Sequence, residues 1–265
     1  MSFSSKPTKN SEPLVKVVSP EIKNTSKSPI IFFNPLSFDE EYETSNADLQ
    51  LKQGQQFQLI PNIKLDRMVG YITGQSGSGK THFTIQFLKE YQMMFPDNEI
   101  ILFSAIPDEG VNCSFRKAKL DITRIKLDEK IAKMKPEDFT DSCVIFDDID
   151  TLEDKKILNL INIIRNGILE RGRHYKTYCI NTYHLPSNFL ETRRLINEAT
   201  FIVYFPKMAT GKTKRVLNEY FGLSIEDYKK IKKMPTRWAC LVKSIPNVLI
   251  TQQYMKVLDM DDDDD

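Results

Sequence analysis

Several protein classes are excluded by what the 265 residues lack. No run approaches the roughly 18 consecutive apolar residues of a spanning helix, and Met1-Ser-Phe-Ser-Ser-Lys6 has no apolar stretch of the kind a secretion signal needs. A non-exported chain without membrane contact is expected. Four cysteines, Cys113, Cys143, Cys179 and Cys240, stand far apart and form no C-x-x-C pair. Neither a zinc knuckle nor a disulfide framework is suggested, so the thiols are read as reduced and mostly core. No internal repeat is found. Neither charge dominates, with 37 Lys and Arg facing 36 Asp and Glu, but the balance is uneven. Six of the acids lie within Asp259 to Asp265, which leaves 30 acids against 37 bases, a formal +7, on the rest of the chain. A moderately basic body permits a polyanionic partner without demanding one.

At 40% hydrophobic residues the chain can bury a sizeable core. Residues 1–29, rich in Ser, Lys, Pro, Asn and Thr, read as a disordered N-terminal arm. Residues 30–258 read as one folded domain, and 259–265 as a disordered acidic tail. Ile30 to Phe33 and Gln56 to Ile60 are expected as short strands. Arg67 to Thr73, Glu99 to Ala105, Cys143 to Phe146, Thr177 to Asn181 and Phe201 to Phe205 read as buried parallel strands. Between them Thr81 to Met94, Lys155 to Glu170 and Asn188 to Glu198 carry apolar residues at helical spacing, such as Ile157, Ile161, Ile164 and Ile168. The alternation predicts an α/β fold with a mainly parallel sheet covered by helices on both faces. Two charged helices, near Lys212 to Tyr220 and Ile225 to Lys232, and a C-terminal β-hairpin from Trp238 to Val257 complete it.

Gly74-Gln75-Ser76-Gly77-Ser78-Gly79-Lys80-Thr81 matches the phosphate-loop (Walker A) pattern G-x-x-x-x-G-K-[ST] between an apolar strand and a helix start. Glycines let the backbone wrap a polyphosphate with its N–H groups turned inward, and the helix N-terminus adds a positive dipole end. The stretch from Gly74 to His82 is therefore the expected ATP site, with Lys80 reaching the β and γ phosphates and Thr81 placing its hydroxyl on Mg²⁺. The alternative is an ordinary Gly-rich turn. A second Gly-Lys-Thr, at Gly211 to Thr213, has Pro206 where the first glycine should stand and is not another nucleotide site.

Val144-Ile-Phe-Asp147-Asp148 is a hydrophobic strand ending in two carboxylates. Asp147 is expected to hold the Mg²⁺ shell and Asp148 to orient the attacking water or take its proton. The competing reading makes these acids helix caps. Asn181, at the expected end of the next strand, is a γ-phosphate sensor candidate, with Thr182 as its rival and a plain turn residue as the alternative. In Glu170-Arg171-Gly172-Arg173-His174, Arg171 or Arg173 suits a charge-stabilising finger reaching across a subunit interface, or else a helix C-cap.

Taken in order, Gly74 to Thr81, the Val144 to Asp148 strand, Arg171-Gly-Arg-His-Tyr175 and Cys179-Ile-Asn-Thr-Tyr-His-Leu-Pro186 resemble the DNA-packaging ATPases of the FtsK/HerA superfamily of P-loop NTPases, and most of all the poxvirus-type packaging ATPases of large DNA viruses and virophages. The likeness covers about Phe57 to Phe205. It implies a RecA/ASCE-like fold and a ring-forming ATPase that pushes double-stranded DNA into a capsid. It also implies capsid or portal-vertex proteins as partners, and work in the host cytoplasm or the virion. Two departures stand out: Asp148 where Glu is frequent, and Asn181 where Gln is frequent.

Duplex contact would fall to Lys207, Lys212, Lys214 and Arg215, or to Lys229, Lys230, Lys232, Lys233 and Arg237, although each cluster also reads as a solvated helix face. Trp238 and Tyr254 read as core more readily than as stacking groups. The acidic tail is either a solubilising end or a DNA mimic that screens a basic pore or binds a capsid partner. A replication initiator or helicase stays open within the motor class, and so do two other classes, a small-molecule P-loop phosphotransferase and a nucleotide switch. The missing N/T-K-x-D element disfavours a guanine-specific version of the latter.

Overall fold

A computed structural model describes residues 2–19, 28–35, 48–106, 114–184 and 189–258. In chain order the elements are β1 (Ser2–Ser4), β2 (Glu12–Val18), β3 (Ile30–Asn34), β4 (Asp48–Gln50), β5 (Gln56–Leu59), β6 (Val69–Thr73), α1 (Lys80–Met94), β7 (Glu99–Ser104), α2 (Ser114–Lys117), β8 (Ile122–Arg124) and β9 (Ser142–Asp147). They continue with α3 (Lys155–Arg171), β10 (Tyr178–Tyr183), α4 (Phe189–Glu198), β11 (Phe201–Tyr204), α5 (Gly211–Phe221), α6 (Ile225–Lys233), β12 (Ala239–Val242), β13 (Val248–Thr251) and β14 (Tyr254–Val257). Two compact units result, one from Leu65–Ile202 and one from Met1–Lys64 with Val203–Asp265.

The Leu65–Ile202 unit is built on strands ordered β11-β6-β10-β9-β7-β8. The four pairings from β6 through β8 are all parallel. β6, β9 and β10 are buried at every position, as strands covered on both faces must be. One face receives α1, whose Phe87 ring lies 5.5 Å from Phe201 and whose Tyr91 ring lies 5.0 Å from Tyr178. Helix α3 starts where the Asp154 carboxylate accepts the Lys156 and Ile157 N–H groups at 2.9 and 3.1 Å. Its Ile157, Ile161, Ile164 and Ile168 are buried; each contributes roughly 2 kcal/mol by leaving water. Because α3 returns the chain from the end of β9 to the start of β10, it begins at the strands' C-terminal ends. It finishes at their N-terminal ends, about 25 Å away by helical rise. This is the mixed, mainly parallel α/β architecture of a RecA/ASCE-like P-loop NTPase.

In the second unit β1-β3-β2-β5 form an antiparallel sheet, and β12, β13, β14 and β4 pair antiparallel in that order. Helix α5 is capped by Thr210 and ends at Gly222, whose φ of 63° suits a residue without a Cβ. Two expectations need correction. The disordered arm over residues 1–29 does not hold for its described part. Glu12–Val18 is a strand with Leu14, Val15 and Val17 buried, and Pro13, which has no N–H to give, sits where the register with β3 shifts. The C-terminal hairpin is present but gains a strand, since the polar pair Gln252-Gln253 turns the chain between β13 and β14. The acidic tail lies outside the described residues. Among those described, no helix is long and apolar enough to cross a membrane.

Candidate nucleotide-binding site

The glycine loop joins β6 to α1 as its spacing requires. Gly74 N–H donates to the Tyr183 carbonyl at 3.1 Å, and Ser78 N–H closes a turn on the Gln75 carbonyl at 3.1 Å. Gly77 and Gly79 have φ of 74° and 113°, conformations a Cβ would strain. Gly77 meets open space where its Cβ would stand. Helix α1 has no side-chain cap and no acid in its first turn, so its first N–H groups and positive dipole end face the loop unopposed. These features fit an anionic phosphate. Gln75, Ser76 and Gly77 are exposed and Thr81 half-buried, beside the buried Lys80; His82 is exposed.

Lys80 is 5% exposed, and its ammonium meets three acceptors: the Gly74 carbonyl at 3.0 Å, His184 Nδ1 at 3.4 Å and Asp148 Oδ1 at 3.5 Å. The acids stand at the end of β9, separated from the loop strand β6 by β10 alone. Asp147 Oδ1 accepts the Thr182 hydroxyl at 2.9 Å, and Oδ2 accepts the Ser104 hydroxyl at 3.0 Å. Burial raises the Asp147 pKa above the ordinary carboxylate value and the neighbouring Asp148 charge adds to it; the two hydroxyls and Lys80 oppose the rise. A divalent cation would relieve that cost, which makes Asp147 a fitting ligand with Thr81. Asp148 adopts the left-handed conformation, φ 48° and ψ 32°, and does not cap α3, a task Asp154 performs. Its Oδ2 lies 3.2 Å from His184 Nε2.

Asn181 is not brought to this cluster. Strand β10 runs two residues further than expected, so Asn181 is interior to it. Successive side chains alternate across a strand: Thr182 turns toward the acids, while the Asn181 amide lies 3.3 Å from Cys179 Sγ and 3.5 Å from the Gly70 carbonyl on the other face. Arg171 and Arg173 are exposed at the far end of α3, where the Thr177 N–H meets the Gly172 carbonyl at 2.9 Å. They lie away from the loop of their own chain. Ser104, Thr182 and His184 complete the site and escaped the motif reading, apart from Thr182 as a rival to Asn181. The signal available for His184 was its place one residue past a polar strand end. Cys143, Cys179 and Cys240 are buried free thiols as expected, with Cys179 pushed up to about 11 by burial; Cys113 lies outside the described residues.

No protein-family model matches the sequence. The chain is 32% identical over 223 residues to the uncharacterized protein V3 of Sputnik virophage, covering 83% of this chain and 88% of that one. Among solved structures, the cytoplasmic domain of the type VII secretion ATPase EccC from Thermomonospora curvata aligns at a TM-score of 0.50 and 13% identity, over 82% of this chain and 29% of that one. The DNA-packaging ATPase B204 of Sulfolobus turreted icosahedral virus aligns at 0.48 and 14%, over 72% and 98%. The EccC likeness agrees with the strand order in giving a P-loop NTPase fold. By its sequence the chain belongs to the same family as protein V3 of Sputnik virophage.

Proposed function

We propose that this chain is an ATP-driven motor that hydrolyses ATP in a homo-oligomeric ring and moves double-stranded DNA into a viral capsid. The observation that carries the ATPase part is the convergence of Lys80, Asp147, Asp148 and Thr182 at the ends of β6, β9 and β10, beside a glycine loop shaped for phosphate. Binding a triphosphate transfers Lys80 from its protein acceptors to the β and γ phosphates. Mg²⁺, held by Thr81 and Asp147, would neutralise charge on the phosphate oxygens. Water attacks the γ-phosphorus in line, the bond to the β–γ bridging oxygen breaks, and ADP departs as that oxygen takes the electron pair. Asp148, freed from Lys80, accepts the proton of the water. Arg171 or Arg173 of a neighbouring subunit is the proposed finger, since neither lies near the loop of its own chain.

The packaging role rests on the order and spacing of the motifs, and membership of a virophage protein family agrees with it. Such a motor works in the host cytoplasm or within the virion, against capsid or portal-vertex proteins. Exposed Lys212, Lys229, Lys232, Lys233 and Arg237 offer mobile charge for a sequence-indifferent grip on phosphates, whereas Arg215 is paired with Glu219 at 2.5 Å. Lys230 and Lys207 are partly engaged: Lys230 sits 5.1 Å over the Tyr254 ring, and Lys207 donates to the Lys232 carbonyl at 2.7 Å. The test measures particle size and ATP hydrolysis in the same samples, with and without ATP and duplex DNA. A ring that forms and accelerates on duplex supports the motor, and Lys80→Ala should remove hydrolysis at least a hundredfold. An assembled ring whose rate ignores DNA overturns it.

A further inference from the structure

His184 lies outside the phosphate loop and the acidic strand end, yet among the described residues it is the side chain that contacts both Lys80 and Asp148. Its two ring nitrogens are 3.4 Å from Lys80 Nζ and 3.2 Å from Asp148 Oδ2. The donor chemistry settles which nitrogen holds the proton. A lysine ammonium has hydrogens and no lone pair, so Nδ1 must be the acceptor; the proton then sits on Nε2 and is donated to the carboxylate. The Asp148 backbone is fixed as well, because its N–H donates to the Thr182 hydroxyl at 3.0 Å. Oδ2 is thus held by His184, and Oδ1 by Lys80 together with the Thr182 hydroxyl at 3.3 Å.

We propose that His184 is a positioning residue that acts as a latch between the lysine and the proton acceptor, a reading that rests on the ATPase function above. Without nucleotide, hydrogen bonds to Gly74 and His184 and an ion pair with Asp148 engage the Lys80 ammonium and hold it off. When a triphosphate takes Lys80, Oδ1 of Asp148 loses its ion pair and keeps only the longer contact with the Thr182 hydroxyl, while the Nε2–H of His184 still fixes Oδ2. The freed oxygen is the one that can receive the water's proton. His184 therefore aims the base in the loaded site and competes for the lysine in the empty one. These two duties have opposite effects on turnover and on nucleotide affinity, which separates them from a merely structural role.

The experiment compares wild type, His184→Ala and His184→Gln as full-length chains, measuring kcat and the affinity for a fluorescent, slowly hydrolysed ATP analogue. His184→Ala should lower kcat about tenfold, with the analogue bound as tightly as before or about twofold tighter. His184→Gln, whose amide N–H can still reach the carboxylate, should recover part of kcat. A kcat unchanged in His184→Ala, or an affinity that falls in step with kcat, overturns the latch. A second measurement needs no variant to be active: nitrogen NMR of the imidazoles in the nucleotide-free protein, where only His82, His174 and His184 contribute and the His184→Ala spectrum identifies the third. A protonated Nε2 and bare Nδ1 support the proposal, and the reverse tautomer sinks it. Wild type that neither binds the analogue nor hydrolyses ATP fails the ATPase reading itself, whereas wild type active beside unaltered variants fails the latch alone.

Discussion

At the ends where β6, β9 and β10 stop, the chain buries Lys80, Asp147 and Asp148 beside one another and ties them with hydroxyls and an imidazole. At the ends where β6, β9 and β10 begin, it buries one arginine, Arg67, and leaves Arg171 and Arg173 in solvent. Arg67 is matched for good: its guanidinium donates to the Ile168 and Leu169 carbonyls at 2.5 and 2.6 Å and reaches Glu198 at 3.2 Å. The two carbonyls belong to the last turn of α3, where a fixed positive charge also meets the helix dipole. Burial lowers the Arg67 pKa, yet its fork is filled by fixed acceptors of the fold, the Ile168 carbonyl also taking the Gly172 N–H at 2.8 Å. The partners at the opposite end are provisional, because Lys80 must exchange protein acceptors for phosphates before anything happens. One end of the sheet holds its buried charge as structure and the other holds it ready for exchange.

The largest expected effect tests what the solvent-exposed arginines are for. If either is a finger in trans, Arg173→Ala or Arg171→Ala should cut ATP hydrolysis about a thousandfold. Mixing that variant with Lys80→Ala subunits should then restore measurable activity, because an intact loop meets an intact arginine at some interfaces. No rescue at any mixing ratio would return Arg171 and Arg173 to plain helix-end charge. Arg67→Ala comes next and should act on the fold. It strips the Leu169 carbonyl of its donor, and about 3 kcal/mol of stability should be lost in denaturant titration. A stable Arg67→Ala with impaired hydrolysis would break the division between the two ends.

Much of this was legible from the residues alone, and what was not has physical causes. The parallel strands announced themselves by unbroken apolar runs, and α3 by isoleucines at 157, 161, 164 and 168. Strand β2 was hidden because Pro13 and Lys16 dilute its apolar residues inside a polar segment, while burial of Leu14, Val15 and Val17 depends on strands from elsewhere in the chain. The end of β10 was misread for a related reason. Asn181-Thr182-Tyr183 is too polar to look like a buried strand, but two of its side chains find partners only the fold supplies: Thr182 the acids, Tyr183 the guanidinium of buried Arg165. With the strand continuing to Tyr183, alternation reverses the expectation and gives Thr182, not Asn181, the side of the acids.

That reversal gives the third prediction. Thr182→Val keeps the shape but removes the hydroxyl that serves Asp147 and the Asp148 backbone, and should lower kcat about tenfold. Asn181→Leu, on the opposite face, should change kcat less than twofold, with any cost appearing in stability. The opposite ranking, measured under saturating ATP, would restore Asn181 as the sensor and displace Thr182.

The smallest effect concerns Asp147 and runs against the usual direction of active-site mutation. Because burial and the Asp148 charge raise its pKa in the folded chain, the fold disfavours the ionised form. The sign follows: stability falls as pH climbs from the unfolded carboxylate value through the raised folded one, and the loss persists at neutral pH. Asp147→Asn removes that charge while keeping the polar contacts, since the Ser104 and Thr182 hydroxyls can accept as well as donate. The nucleotide-free variant should melt a few degrees higher than wild type at pH 7, and the two should converge in acid, where Asp147 is protonated anyway. Added Mg²⁺ with nucleotide should then stabilise wild type more than the variant, because only the carboxylate offers the cation full charge. A variant that melts lower at pH 7 would mean that Asp147 is held like Arg67, as structure, and the contrast between the two ends of the sheet would be lost.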